Sequence, residues 1–133
     1  IQLYKFILLF IFLFIGTSIF SATITSSING NWSDPATWGG VAPTDGDIVI
    51  IALGDTVTFD IDASGGDIVA SLTVTGVLLF DASTARSITV NGTLSGTGRI
   101  DMSGGSGAHI LELKGANNAI TSFISGSGST VLY

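Results

Sequence analysis

Apolar and polar positions divide the chain into two regimes. From Phe6 to Ile15 ten apolar residues run without a break, directly after Lys5. As a helix such a run spans about 15 Å, half of a ~30 Å hydrocarbon core. Small residues follow at Gly16, Thr17, Ser18, Ser21 and Ala22. A basic residue, an apolar run and small residues, in that order, predict a secretory signal peptide over 1–22 with cleavage between Ser18 and Ala22. A retained membrane anchor is the alternative. Beyond Ala22 the period changes to two. Thr23–Ser27 alternates and is β-branched, and Ile48–Ile51 is near-continuously apolar, as a strand covered on both faces requires. Val57, Phe59 and Ile61 alternate with Thr58, Asp60 and Asp62, and turns are predicted at Gly54-Asp55 and Ala63–Asp67.

A weak repeat runs through the second half. Ser71-Leu72-Thr73-Val74-Thr75-Gly76 is echoed by Ser87–Gly92 and more loosely by Ile110–Gly115, at spacings of 16 and 23 residues. The expected inward pairs are Leu72/Val74, Ile88/Val90 and Leu111/Leu113, and each unit ends on a glycine corner. Between them Val77–Phe80, Thr93-Leu94 and Arg99–Met102 read as secondary strands. Strand–turn–strand units without helical period predict an all-β fold, a right-handed parallel β-helix (solenoid). One coil cannot bury its own apolar row, whereas coils stacked at ~4.8 Å can. About five coils fit, a stack of roughly 25 Å at that spacing. The competing architecture is an antiparallel β-sandwich.

The stretch Gly30–Asp47 holds both tryptophans and both prolines. Asp34 is placed to accept hydrogen bonds at a helix start, Pro35 suits the first helical position, and Gly39-Gly40 end the turn. Such a knot predicts an N-terminal cap over 23–47, with coils over 48–133. Trp32 and Trp38 have two readings: a hydrophobic lid on the end of the sheet stack, or a stacking platform for a sugar ring. The strand-like C-terminal run Ser129–Tyr133 and the start on Ile1 lead us to expect a fragment of a longer protein.

Composition narrows the chemistry. The 133 residues suffice for one domain. The net charge is −6, and all ten acidic residues follow the leader, against Arg86, Arg99 and Lys114. Such a surface repels phosphate backbones, so no nucleic-acid partner is expected. With no cysteine and one histidine, disulfides, thiolate or histidine metal clusters and a cysteine nucleophile are excluded. His109 beside Gly107-Ala108 reads as structural. Gly92–Gly98 and Gly104–Gly107 lack the Lys-Ser/Thr ending and the following helix of a phosphate loop. Asp45/Asp47 and Asp60/Asp62 are close carboxylate pairs, the latter expected on one outer face. Solvated outward residues are one reading, and calcium binding or acid–base work on a sugar the other. Otherwise no cofactor is expected.

In Gly30-Asn31-Trp32, Thr37-Trp38-Gly39-Gly40-Val41-Ala42-Pro43 and Gly46-Asp47-Ile48-Val49-Ile50 the chain resembles the N-terminal module of exported β-helical surface proteins of the Bacteroidetes type. It is also similar to the eight-glycine extracellular domain family, with Trp32, Trp38, Pro43, Gly46-Asp47 and Leu72–Gly76 matching that pattern. The resemblance covers roughly residues 28 to 102. It implies an extracellular β-helical module that binds a ligand or polysaccharide, and it carries over no catalytic residue.

The expectation is therefore a secreted or cell-surface module, non-catalytic by itself, for adhesion, polysaccharide or ligand binding, or structural presentation. It would have no stable membrane insertion once the leader is cleaved. The alternative is the start of a β-helical polysaccharide-degrading enzyme with its active site downstream. A third reading, ice binding by threonine rows (Thr73, Thr75, Thr89), needs those residues on one flat face.

Overall fold

The structure is a computed structural model that describes residues 20–62, 65–105 and 107–133. Most of the expected leader lies outside the described residues. Among them, no helix is long and apolar enough to cross a membrane. The strands are short: β1 (Thr23–Thr25), β2 (Gly30–Asn31), β3 (Ile48–Ile51), β4 (Thr56–Phe59), β5 (Ile68–Val69), β6 (Ser71–Val74), β7 (Val77–Phe80), β8 (Ser87–Val90), β9 (Leu94–Ser95), β10 (Arg99–Asp101), β11 (Ile110–Leu113), β12 (Ser122–Ile124) and β13 (Thr130–Leu132).

They form three sheets, ordered β1-β3-β6-β9 (sheet A), β2-β4-β7-β10-β12 (sheet B) and β5-β8-β11-β13 (sheet C). Every ladder pair among the described residues is parallel. The chain visits sheets A, B and C in turn and then returns one layer further along. The result is a parallel β-solenoid of about five turns, not a sandwich. The alternation read from the sequence is the cause. In β3, β4, β6 and β7 every second residue is buried, while its neighbours face outward.

Inward residues stack as ladders along the axis. Ile24, Val49, Leu72 and Leu94 form one on sheet A. Val57, Leu78, Ile100 and Phe123 form another on sheet B. Ile88, Leu111 and Val131 form a third on sheet C. Ile88 and Leu111 stack as expected, but Leu72 does not join them. The echo of Ser71–Gly76 in Ser87–Gly92 marks two faces of the same coil, each needing an inward pair and a glycine corner. The vertical repeat is longer: Thr73 lies beside Ser95 at 22 residues, and Thr89 beside Glu112 at 23.

The 23–47 segment supplies the first rung before it closes the end, since β1 and β2 pair with β3 and β4. A one-turn 3-10 helix, Pro35–Trp38, then folds over the stack. The Asp34 carboxylate accepts a hydrogen bond from the Ala36 N–H at 2.9 Å, and Gly39 ends the turn at φ 76°. Both were legible signals. Asp47 ties the segment down. It is buried, and it accepts hydrogen bonds from Ala22 N (2.9 Å), Thr44 N (2.9 Å) and Thr44 Oγ1 (3.0 Å). Trp32 continues a column of rings through Phe59 and Phe80 to His109, with centroids 5.1, 5.5 and 5.2 Å apart.

Candidate functional site

Successive coils place Asn31, Thr58, Leu79, Asp101 and Ile124 in one row on the outer face of sheet B. Around its middle lies a groove of about 300 Å³ lined by Thr58, Leu79, Phe80, Asp81, Ala82, Asp101, Ser103 and Gly104. The wall is small by necessity. A side chain at Gly104 would place its Cβ 2.7 Å from the Phe80 carbonyl oxygen. The groove therefore has an apolar floor at Leu79, hydroxyls at Thr58 and Ser103, and two carboxylates.

Each carboxylate is organised by the serine two residues on. Asp101 Oδ1 accepts hydrogen bonds from Ser103 N (3.0 Å) and Ser103 Oγ (2.6 Å). Asp81 accepts from Ser83 N (3.1 Å) and Ser83 Oγ (2.6 Å), and Arg86 Nη2 reaches Asp81 Oδ2 at 2.5 Å. These donors stabilise the charged forms. The Ser83 hydroxyl, and after it Arg86, hold Asp81 far below the usual carboxylate range. The Ser103 hydroxyl lowers Asp101 despite some burial. Asp101 Oδ2 accepts no hydrogen bond among the described residues.

Arg86 is 8 % exposed and also pairs with Asp62. Its pKa is raised, first by the hydrogen bond to Asp81. Its backbone N–H donates to His109 Nδ1 at 3.0 Å, and His109 Nε2 lies 3.0 Å from the Gly104 carbonyl oxygen. Nδ1 must then be the acceptor and Nε2 the protonated donor. His109 is fully buried with both ring nitrogens used by backbone, so it ties Gly104 to Arg86 of the coil before it. A smaller recess of about 180 Å³ flanks this pair, between Asp62, Arg86 and Ile110.

The residues singled out by sequence are dispersed. Trp32 is 0 % and Trp38 6 % exposed, with ring centroids 5.2 Å apart edge to face. Trp38 Nε1 donates to the Trp32 carbonyl oxygen at 2.8 Å. Buried indoles leave no face for a sugar ring, and the structure places both inside the cap. Asp60 accepts from Ser33 N and Oγ at 2.9 and 2.6 Å, whereas Asp62 turns to Arg86. Asp45 accepts from Gly66 N and Ile68 N at 2.7 and 3.2 Å. Each carboxylate considered for calcium is thus taken up singly by protein donors. No group of three or more metal-ligating side chains occurs among the described residues. Thr73 faces outward on sheet A, Thr75 donates to the Ile51 carbonyl at its corner (2.9 Å), and Thr89 sits on sheet C beside Glu112. They form no common row.

Thr58, Leu79 and Ser103 were not singled out from the sequence. A search at the 22-residue vertical period would have aligned Leu79 with Asp101 and Asp81 with Ser103. A glycosidase pair needs one protonated carboxyl to act as acid, whereas the serine hydroxyl donors here favour the charged form of both carboxylates. No protein-family model, no curated protein and no solved structure matches the chain.

Proposed function

We propose that the chain is an exported, non-catalytic β-helical module that binds an extracellular polysaccharide along the outer face of sheet B. One observation carries the reading: three consecutive coils set Thr58, Leu79 and Asp101 in a single row inside a groove of about 300 Å³. A sugar ring presents an apolar face and a hydroxyl edge. Leu79 meets the first, while Asp101 Oδ2 and the Thr58 hydroxyl meet the second. The groove holds carboxylates, so it favours neutral sugars over uronic acids, which it would repel. Export rests on the leader pattern, and the resemblance of the Trp32–Asp47 segment to extracellular modules supports it.

Affinity electrophoresis through gels carrying a neutral β-glucan, a mannan or polygalacturonate tests this. The protein is expected to be retarded in a neutral gel and to run freely in polygalacturonate. Leu79→Asp and Asp101→Asn are expected to weaken retardation at least tenfold. Free migration in every gel, or retardation unchanged in both variants, rejects the binding reading. Release of reducing or unsaturated sugar ends rejects its non-catalytic part.

A further inference from the structure

We infer that the outer face of sheet A binds the surface of ice. The ladder register lays out a two-by-four array of side chains there. Thr23, Ile48 and Ser71 form one rank. Leu72 N donates to the Thr93 carbonyl at 3.1 Å, which sets Thr93 beside Ser71 as the next member of that rank. Thr25, Ile50, Thr73 and Ser95 form the other rank. Neighbours along a rank are about 4.8 Å apart, and the ranks, two residues apart on each strand, are separated by about 6.6 Å. Thr23, Thr25 and Thr93 are exposed and the others half-buried, as side chains standing close together on a flat sheet are.

Charge sets this face apart from the other two. Every member of the array is Thr, Ser or Ile, in a chain with ten acidic residues. Outward positions on sheet B include Arg99 and Asp101, and on sheet C Glu112. A charged group keeps its own water shell and gives it up only at a high cost. Methyl and hydroxyl groups release disordered water readily, and the hydroxyls can bond to water that is already ordered. The face is also firm. Thr73 Oγ1 and Ser95 Oγ share a hydrogen bond of 3.2 Å, which limits their rotation and so the entropy lost on binding.

Repetition in two perpendicular directions matches a crystal face and not a soluble ligand. Neither recess described above includes a residue of this sheet, so the partner must itself be flat. Water oxygens on the prism faces of ice repeat at intervals close to these in both directions. A crystalline polysaccharide is the competing lattice. Its sugar rings are gripped by aromatic rings laid against them, and the array contains none.

The test is thermal hysteresis of the purified protein in a nanolitre osmometer, with ice crystal habit recorded in the same drop. The expected result is a freezing point below the melting point, with faceted crystals. Ile50→Lys with Thr73→Lys is expected to abolish both effects. Thr25→Lys, at an exposed position of the same rank, repeats the test without touching the middle of the sheet. Circular dichroism and a urea titration confirm that each variant is folded. Leu79→Asp on sheet B is expected to leave the hysteresis intact while weakening sugar retardation, so either proposal can fail alone. Round crystals with no hysteresis overturn the inference, and so does hysteresis that survives the lysine substitutions. Retention on microcrystalline cellulose or chitin that these substitutions abolish, with no effect on ice, also overturns it and gives the face to a sugar lattice.

Discussion

Replacing Trp32 by alanine is expected to cost about 3–5 kcal/mol, the range for a large aromatic removed from a packed core. Trp32 is fully buried and meets Trp38 and Phe59 edge to face, at 5.2 and 5.1 Å. It starts the ring column, so its loss opens a cavity where the cap meets the first complete coil. Small domains have total stabilities of only about 5–15 kcal/mol. The variant should therefore unfold at far lower urea, or fail to fold at 37 °C. The readout is a urea titration followed by far-ultraviolet circular dichroism, with Leu53→Ala as an exposed control within about 0.5 kcal/mol of the parent. A loss below about 1 kcal/mol for Trp32→Ala would mean that the indole does not hold the cap to the stack, contrary to its contacts.

Gly115→Ala is the second large effect, and it comes from backbone rather than side chain. A Cβ at Gly115 would stand 1.8 Å from the carbonyl oxygen of Gly92 and 2.4 Å from its carbonyl carbon. Both atoms belong to the backbone of the coil beneath, so no rotamer change relieves the overlap. The coils must part at that corner, and the bond from Lys114 N to the Val90 carbonyl, 2.9 Å, lies next to it. Overpacking of this kind typically costs about 1–3 kcal/mol, and a clash with rigid backbone belongs at the upper end or beyond. The same titration measures it, and amide exchange at Lys114 should accelerate. An alanine tolerated without loss would show that Gly92 and Gly115 are not stacked.

These two sites also show what the sequence could reveal. The cap start at Asp34-Pro35 and its end at Gly39-Gly40 were legible because each signal acts within a few residues. The inward and outward alternation was legible for the same reason, as were Gly92 and Gly115 as corners. Stacking partners were harder to read. They depend on how many residues each corner consumes, and corner lengths vary from coil to coil. The 16-residue echo therefore aligned Leu72 with Ile88, which share one coil, in place of Leu72 with Leu94. Asp60 and Asp62 were expected on one face by the period-two rule, but β4 ends at Phe59. Beyond it the chain is no longer a strand, and the two carboxylates part towards Ser33 and Arg86. An indole reads alike in a sequence whether it will be buried or exposed, and it is the fold that buries Trp32 and Trp38. The groove on sheet B was invisible for a related reason: its residues become neighbours only through a register that local pattern does not specify.

Because the chain contains no cysteine, paired cysteine substitutions test the stacking register most directly. Thr73 Oγ1 and Ser95 Oγ lie 3.2 Å apart on the outer face of sheet A, close enough for a disulfide to form after substitution. Thr73 and Thr89 lie on different sheets of one coil. Under mild oxidation, Thr73→Cys with Ser95→Cys is expected to give a near-quantitative intramolecular disulfide, and Thr73→Cys with Thr89→Cys none. The reverse outcome, with the 16-residue pair bridged and the 22-residue pair left as free thiols, would contradict the parallel stack on which the groove and the cap both depend.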